Sequence, residues 1–292
     1  MWVLLLVSVA GFLAQLVDGA MGMAFGVTST SLLLFLAYSP AAASAVVHLA
    51  EIATSSISGI SHIRFKNVDW HALVKVAVPG SIGAFVGAVL LSNVDLSASR
   101  PWTATVLLAL GALILYRFTR TSILGKKRRA RARWLAPLGL VGGFVDSTGG
   151  GGWGPMVTTS LTASNALEPR KAIGTTNTAE FAISIAASIG FLLGLGAEQI
   201  PWDAVLALLI GGVIAAPIAA WLVSKAPQRL LGILVGNLII FLNVRQLVIS
   251  LETPEAISFI AFGAWAVVAI AAFVVGMPHL KSDQIAEKNV AL

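Results

Sequence analysis

Long apolar runs follow one another along most of this chain, and short polar or charged segments separate them. An α-helix needs about 20 apolar residues to cross the hydrocarbon core of a bilayer. The runs of that length predict a series of membrane-spanning helices. Their predicted ranges are 40–60, 71–92, 102–120, 170–194, 203–223, 228–249 and 256–277.

Two other apolar stretches are interrupted by glycine-rich polar segments, one beginning at Asp18 and the other at Asp146. The runs on either side of Asp146 hold only about 12 residues each, too few to span comfortably. We expect each interrupted stretch to form a re-entrant hairpin or a broken helix near mid-membrane. Protein or a water-filled cavity must satisfy such irregular backbone. The paired runs are 1–17 with 24–38 and 134–145 with 153–164.

Composition excludes most other classes of protein. The chain has 292 residues, of which 57% are hydrophobic and only 11% are charged, and its mean hydropathy is +0.89. A soluble domain is about a quarter charged, so this chain has too few charges to cover a soluble core, and it is too apolar to be disordered. Cysteine is absent and the four histidines are scattered, so we expect no disulfide, no metal site and no cofactor.

The positive charges predict how the chain is oriented. The densest group of Lys and Arg lies between Arg117 and Arg133, and cytoplasmic loops are enriched in these residues. Placing this group in the cytoplasm also puts nearly all other Lys and Arg inside, with Arg100 and Arg245 as exceptions. The N-terminus is then outside and the C-terminus cytoplasmic. Orientation and contact with anionic lipid explain the basic group, so a nucleic-acid partner is not expected.

The two interrupted stretches begin an internal repeat. The pattern Asp18-x-x-x-Gly22-x-x-Phe25-Gly26 aligns with Asp146-x-x-x-Gly150-x-x-Trp153-Gly154. Further on, the segment His48-Leu49-Ala50-Glu51 aligns with Asn177-Thr178-Ala179-Glu180. Each unit holds one interrupted stretch and three spanning helices. Because that number of crossings is odd, the second unit is predicted to be inverted relative to the first.

The sequence therefore predicts an all-α polytopic membrane protein with two inverted repeats. Each repeat is a broken or re-entrant hairpin plus three transmembrane helices, and one extra transmembrane helix follows. Inverted repeats with broken helices are typical of alternating-access transporters, whose site lies at the midplane between the repeats. The predicted units are a first repeat at 1–120, a basic cytoplasmic linker at 121–133, a second repeat at 134–250, and a C-terminal helix with a cytoplasmic tail at 251–292.

Several of these segments resemble one known family. The sequences DSTGGGGWGP at 146–155 and GTTNTAEF at 174–181 resemble the TauE/SafE family of sulfite and organosulfonate exporters. The sequences DGAMGM at 18–23 and HLAE at 48–51 are similar to the same family, and the resemblance covers residues 5–250 approximately. It implies movement of sulfite, an organosulfonate or a similar small anion across the bacterial inner membrane in the outward direction. Family members differ in substrate, so the anion stays open.

Four carboxyl groups lie deep in apolar sequence and form two repeat-related pairs, Asp18 with Asp146 and Glu51 with Glu180. A charge at mid-bilayer costs at least about 2.5–3.5 kcal/mol, so each group needs a reason to be there. One interpretation is proton coupling, in which a neutral glutamic acid donates a hydrogen bond to an anion or releases its proton to the far side. The alternative is structural: the aspartates accept hydrogen bonds from backbone N–H groups of the breaks, and the glutamates hold those loops.

A short helix is predicted to begin after each break, and helix N-termini attract anions through free N–H groups and the helix dipole. Glycines let an oxyanion approach the backbone. Two such N-termini meeting at the centre can hold a small oxyanion without a buried Lys or Arg, whereas the alternative for the glycines is close helix packing. The predicted substrate-binding residues are Gly22, Met23, Phe25, Gly26, Thr28, His48, Gly149, Gly150, Gly151, Gly152, Trp153, Gly154 and Asn177.

Other functions receive less support from the sequence. His48 beside Glu51 is either a proton relay or an ordinary core histidine. A cation carrier or channel that uses the buried carboxylates as ligands is the alternative to an anion transporter. No phosphate-binding loop, nucleophile–base set or cofactor fingerprint is visible, so neither ATP-driven transport nor an enzyme is expected. The expected partners are a small anion, protons and membrane lipid, and the oligomeric state is open.

Overall fold

The computed structural model describes residues 2–21, 23–119, 132–164, 166–223 and 228–290. Within these residues all regular structure is helical, which confirms the predicted all-α class. A π-helical turn at Gly154–Thr158 and a short 3₁₀ turn at Ala197–Gln199 join the longer elements. The α-helices are α1 Trp2–Met21, α2 Phe25–Phe35, α3 Pro40–Arg64, α4 Trp70–Asn93, α5 Leu96–Thr119, α6 Ala132–Gly149, α7 Thr159–Ala163, α8 Pro169–Leu195, α9 Trp202–Val223, α10 Gln228–Ser250 and α11 Glu255–Val290.

Six helices in the described part of the chain are long and apolar enough to cross a membrane, and each matches a predicted span. The remaining predicted span, 203–223, forms α9 at Trp202–Val223. Most of the predicted linker at 121–133 lies outside the described residues. The six candidate spans are Pro40–Arg64, Trp70–Asn93, Leu96–Thr119, Arg170–Leu195, Arg229–Ser250 and Glu255–Gly276.

Both predicted breaks occur where the glycine-rich segments lie. Helix α1 ends at Met21 and α2 begins at Phe25, whereas α6 ends at Gly149 and the π-helical turn begins at Gly154. The four residues that follow Asp146, up to Gly150, are all polar or glycine, and Gly150 and Gly151 have φ of +70° and +139°. Residues with a side chain rarely adopt such values whereas glycine does so readily, so these glycines end α6 and turn the chain back.

The helices pack in pairs that correspond between the two halves. Helix α1 packs along α9 while α6 packs along α4, and α3 pairs with α8 as α5 pairs with α10. Glycines make the first two contacts close: a Cβ on Gly11 would collide with the backbone of Leu208, and one on Gly139 with the backbone of Val76. The order of elements is thus the same in both halves. Whether the halves are inverted across the membrane stays a prediction.

Helix α11 lies at the edge of the described helices. It packs mainly on α10, where the Trp265 indole donates to the Asn237 carbonyl over 3.1 Å, and only 11% of its most apolar stretch is buried. Large side chains such as Phe259 and Ile260 are more than two-thirds exposed. In a membrane this surface faces lipid.

Candidate functional site: a carboxyl-lined cavity between α3 and α8

A cavity of about 350 Å³ lies between α3 and α8, beside the end of α1. It extends from Glu51, in the middle of α3, toward His62 and the start of α8. Three of the four predicted buried carboxyl groups reach it. Its lining consists of Gln15, Asp18, Phe25, Glu51, Thr54, Ser55, Ser58, His62, Ile173, Asn177 and Glu180.

The aspartates of the two breaks cap the helices that follow them. Asp18 Oδ1 accepts hydrogen bonds from the backbone N–H groups of Ala24, over 2.8 Å, and Phe25, over 3.2 Å. Asp146 Oδ1 accepts from the backbone N–H of Trp153 over 2.8 Å. A carboxylate at this position satisfies free N–H donors and complements the helix dipole. The structural alternative considered for the aspartates therefore describes what both side chains do here.

The two breaks meet, as predicted, and they meet in close contact. A Cβ added to Gly26 would lie against the Gly151 backbone and 2.9 Å from Glu51 Oε1, and one added to Gly154 would lie 3.0 Å from the Met23 backbone. The main-chain groups at this junction touch one another or the capping aspartates. The cavity lies beside the junction, on the side of Asp18 and Glu51. An anion held directly by these N–H groups stays a prediction.

Hydroxyl groups from the surrounding helices satisfy the carbonyl groups that α6 leaves free at its end. Ser44 donates to the Ser147 carbonyl over 2.7 Å, and Thr103 donates to the Thr148 carbonyl over 2.9 Å. Thr30 donates in the same way to the Gly150 carbonyl. A helix end has unpaired carbonyls, and in a membrane each must find a partner. These bonds fix the second break between α2, α3 and α5.

A buried histidine joins the cavity to the second break. His48 Nδ1 lies 3.0 Å from Glu51 Oε2, and His48 Nε2 lies 3.7 Å from Asp146 Oδ2. The His48 side chain has no exposed surface, and Nε2 and Asp146 Oδ2 have no hydrogen-bond partner among the described residues. The Ser184 hydroxyl approaches the same Glu51 oxygen at 3.5 Å. A chain of titratable groups thus runs from the cavity wall into the contact between the two halves.

Polar groups continue from the cavity to the end of α3. The Asn177 side-chain amide donates to Ser58 Oγ over 3.3 Å and lies 3.5 Å from His62 Nε2. The other ring nitrogen of His62 lies 3.3 Å from the amide nitrogen of Asn67, whose Oδ1 accepts from Arg170 Nε over 2.6 Å. This end of the cavity therefore leads to basic residues in the α3–α4 loop and at the start of α8.

The predicted site residues fall into two groups. Asp18, Phe25, Glu51, Asn177 and Glu180 line the cavity. The residues of the second group do not line the cavity and pack at or around the junction of the two breaks. Gly22 lies outside the described residues. The second group comprises Met23, Gly26, Thr28, His48, Asp146, Gly149, Gly150, Gly151, Gly152, Trp153 and Gly154.

Sequence reasoning missed Arg117 because it counted this residue with the cytoplasmic basic group. Its guanidinium lies 2.8 Å from Met23 Sδ, at the first break, and 3.2 Å from Thr159 Oγ1 at the start of α7. No described carboxylate pairs with it. A cationic side chain therefore does reach the breaks, from the last turn of α5. In the first half, α2 is held to α10 by a different contact, in which the Asn243 amide donates to Ser31 Oγ over 2.9 Å.

The cavity is electrostatically one-sided. Asp18, Glu51 and Glu180 line it, whereas no Lys or Arg does so within the described chain. Like charges repel more strongly in a protein cavity than in bulk water, so three ionised carboxylates would repel one another and would also repel an anion. Neutral carboxyl groups would instead offer O–H donors. No group of His, Asp and Glu suited to a metal ion is found in the described ranges.

Comparison with known proteins gives a consistent family assignment. Residues 7–246 match the family model described as sulfite exporter TauE/SafE. The chain is also 49% identical over 241 residues to the probable membrane transporter protein YtnM of Bacillus subtilis (strain 168), an alignment that covers 82% of this chain and 80% of the relative. No solved structure matches.

Proposed function

The chain belongs to the sulfite exporter TauE/SafE family of membrane transporters, and we propose that it carries a small sulfur-containing anion, sulfite or an organosulfonate, out across the bacterial inner membrane. It does so as a secondary transporter, by alternating access of two inverted repeats. In this role the chain moves its substrate unchanged and catalyses no reaction.

The position of the cavity is the observation that carries the proposal. The cavity lies between α3 and α8, which are equivalent helices of the two repeats, and a transporter of this type binds substrate at that interface. From Glu51 it extends in one direction only, because His48 and Ser44 on the other side are completely buried. Access from a single side is what each state of an alternating-access cycle requires.

Basic residues at the end of the cavity support a cytoplasm-facing state. Arg64 ends α3, Lys66 follows it, and Arg170 with Lys171 begins α8. Loops rich in Lys and Arg stay in the cytoplasm, which gives an outer N-terminus and a cytoplasmic C-terminus. An exporter takes up its substrate from that side.

The carboxyl groups in the cavity support coupling to protons. Ionised Glu51 and Glu180 oppose an anion, whereas protonated ones donate hydrogen bonds to it, so protons and anion favour each other's binding. Ligands that bind together are carried together, and protons then leave with the anion. Outward movement of protons opposes the usual proton gradient, so the outward gradient of the anion drives export.

Proteoliposomes test transport and coupling in one experiment. Vesicles are loaded with methanesulfonate, which stays ionised at all working pH values, and a dye reports external pH. We expect saturable efflux with acidification outside for the wild type and for Glu198→Gln, an exposed carboxyl remote from the cavity. We expect loss of acidification for Glu180→Gln. Absence of efflux would refute anion transport, and efflux without acidification would refute the coupling.

The same carboxyl groups favour a second candidate function, transport of a hard cation such as sodium. Oxygen ligands suit such ions, and the lining supplies them in Asp18, Glu51 and Glu180. Thermal-shift measurements separate the two functions. Stabilisation by sodium alone, with no effect of sulfite or methanesulfonate, would favour the cation, whereas stabilisation by either anion in potassium salt solutions would favour the first proposal.

A further inference from the structure

The repeat alignment gives every residue of the cavity a counterpart. Asp18 corresponds to Asp146 with an offset of 128 residues, and Glu51 corresponds to Glu180 with an offset of 129. The offset of 129 holds along α3 and α8, because these helices begin at Pro40 and Pro169. Glu51 and Glu180 are each other's counterpart, and most of the other counterparts lie on the side of these two glutamates that faces away from the cavity. The other counterparts are Ser44, Gly143, Asp146, His48, Trp153, Ile183, Ser184, Ala187 and Phe191.

Several of these counterparts are fully buried although the matching cavity residue is partly exposed. Ser58, His62 and Asn177 are partly exposed, whereas Ala187 and Phe191 are completely covered. Phe191, in the place of His62, packs its ring 6.0 Å from the centre of the His48 imidazole. One half of the α3–α8 interface is thus open and its equivalent is closed.

Polar groups in the closed half are not fully satisfied. His48 Nε2 and Asp146 Oδ2 are buried and have no hydrogen-bond partner in the described residues, although they lie 3.7 Å apart. An unpaired buried polar atom costs about 1–3 kcal/mol, and a purely structural core would not need to keep two of them. Both atoms gain access to water or substrate if the closed half opens.

We infer that the closed half is a second substrate site, formed in the outward-facing state, in which His48 takes the position that Asn177 has in the present cavity and Phe191 is the gate. This inference rests on the proposed function and adds to it the residues of the second state. The site takes the same class of ligand, a small oxyanion, and differs by offering an imidazole N–H donor deep in the pocket where the present cavity offers an amide.

The gate follows from the same comparison. On the open side His62 is joined to Asn67 and Asn177 by polar contacts that water can replace. On the closed side Phe191 is surrounded by the apolar side chains that bury it completely. Separation of α3 from α4 and α8 at this level would uncover Phe191, Ala187 and the His48 ring together. Ser58 and Asn177 would then be covered in turn.

Cysteine accessibility tests the second site, because the chain has no cysteine of its own. Ser58→Cys in the open half is compared with Ala187→Cys at the equivalent position, using a membrane-impermeant thiol reagent on proteoliposomes of known orientation. We expect Ser58→Cys to react only from the side of the Arg64 end and Ala187→Cys only from the opposite side. An outward gradient of methanesulfonate should change the two labelling rates several-fold in opposite directions.

The outcomes separate this inference from the proposed function. If Ala187→Cys transports methanesulfonate but reacts from neither side, the second site is refuted and transport stands. Reaction of both cysteines from the same side of the membrane would also refute the second site. If the wild type shows no flux, the proposed function fails instead. Phe191→Cys serves as the second variant if Ala187→Cys does not insert, and the same labelling side is expected for it.

Discussion

Glu51 and His48 form a hydrogen bond that is closed off from solvent, with 3.0 Å between Oε2 and Nδ1. Glu51 faces the cavity, whereas the other nitrogen of the ring faces Asp146 of the second repeat at 3.7 Å. The equivalent position in the second repeat is Asn177, which cannot carry a proton. His48 is thus a titratable group between Glu51 and Asp146, and the aligned position in the other half has no titratable group.

Replacing His48 by Asn, the residue of the other repeat, tests whether this link carries protons. We expect anion efflux to fall at least about tenfold and acidification to disappear, because Glu51 and Asp146 lose the group between them. The measurement is paired anion and proton flux in proteoliposomes.

His71→Asn is the matched control, since His71 is exposed and its contact among the described residues is with Lys75, over 2.8 Å. It should keep wild-type flux. Breaking a buried ion pair can cost about 3–5 kcal/mol, so insertion and thermal stability of His48→Asn are measured as well. A correctly inserted His48→Asn protein with unchanged proton flux would remove His48 from the proton path.

Gly26→Ala should disturb the contact between the two breaks. The added methyl group meets the Gly151 backbone and the Glu51 carboxyl group, and neither can move freely. Overpacking of this kind costs about 1–3 kcal/mol, so we expect a lower thermal midpoint and reduced flux. Gly263→Ala in α11, where nothing lies within 4 Å of the new methyl group, should leave both unchanged. Equal stability of the two variants would show that the breaks do not touch.

Arg117→Ala tests the cationic side chain at the breaks. The guanidinium holds Met23 and Thr159, which belong to different repeats, so we expect flux to fall by about tenfold or more with a smaller loss of thermal stability. Arg100→Ala removes an exposed Arg near the start of α5 and should be close to neutral. A normal flux for Arg117→Ala would limit this residue to a role in orientation.

Asp18 has two roles that substitutions can separate. Asn keeps a side-chain oxygen that accepts from Ala24 and Phe25, whereas Ala leaves both N–H groups free and should cost about 1 kcal/mol. We therefore expect Asp18→Asn to keep near-normal thermal stability but to show altered proton flux. Asp18→Ala should lower the thermal stability and alter the proton flux as well. Asp95→Ala, at an exposed position, is the control. Equal flux for Asp18→Asn and wild type would leave Asp18 with its capping role alone.

The spans and breaks were predictable because they follow from local chemistry. About twenty apolar residues make a spanning helix. The polar residues and consecutive glycines after Asp146 interrupt a helix. The pairing of Asp18 with Asp146 and of Glu51 with Glu180 was also visible, because repeated sequences fold alike. These features need no knowledge of which helices touch.

The cavity and the contacts around it could not be predicted from local sequence, because they depend on how the helices pack. Whether Gly150 and Gly151 leave space for an anion or close against Gly26 depends on tertiary packing. The reach of Arg117 to Met23 depends on the distance between α5 and the break, and the sequence does not contain it. His62 lies near the end of α3, beside a basic loop, and was not among the predicted site residues. Its place in the lining could have been suspected from its spacing to Glu51 and Ser58, which puts the three near one face of α3.

Binding of methanesulfonate to the purified protein tests the central claim most directly, since that claim places an anion beside protonated carboxyl groups in the α3–α8 cavity. Titration calorimetry should give an affinity that rises as the solution is made acidic, and Glu180→Gln should flatten this dependence while Glu198→Gln retains it. Binding that is absent, or that is equally tight in acidic and alkaline solution for the wild type, would contradict the account.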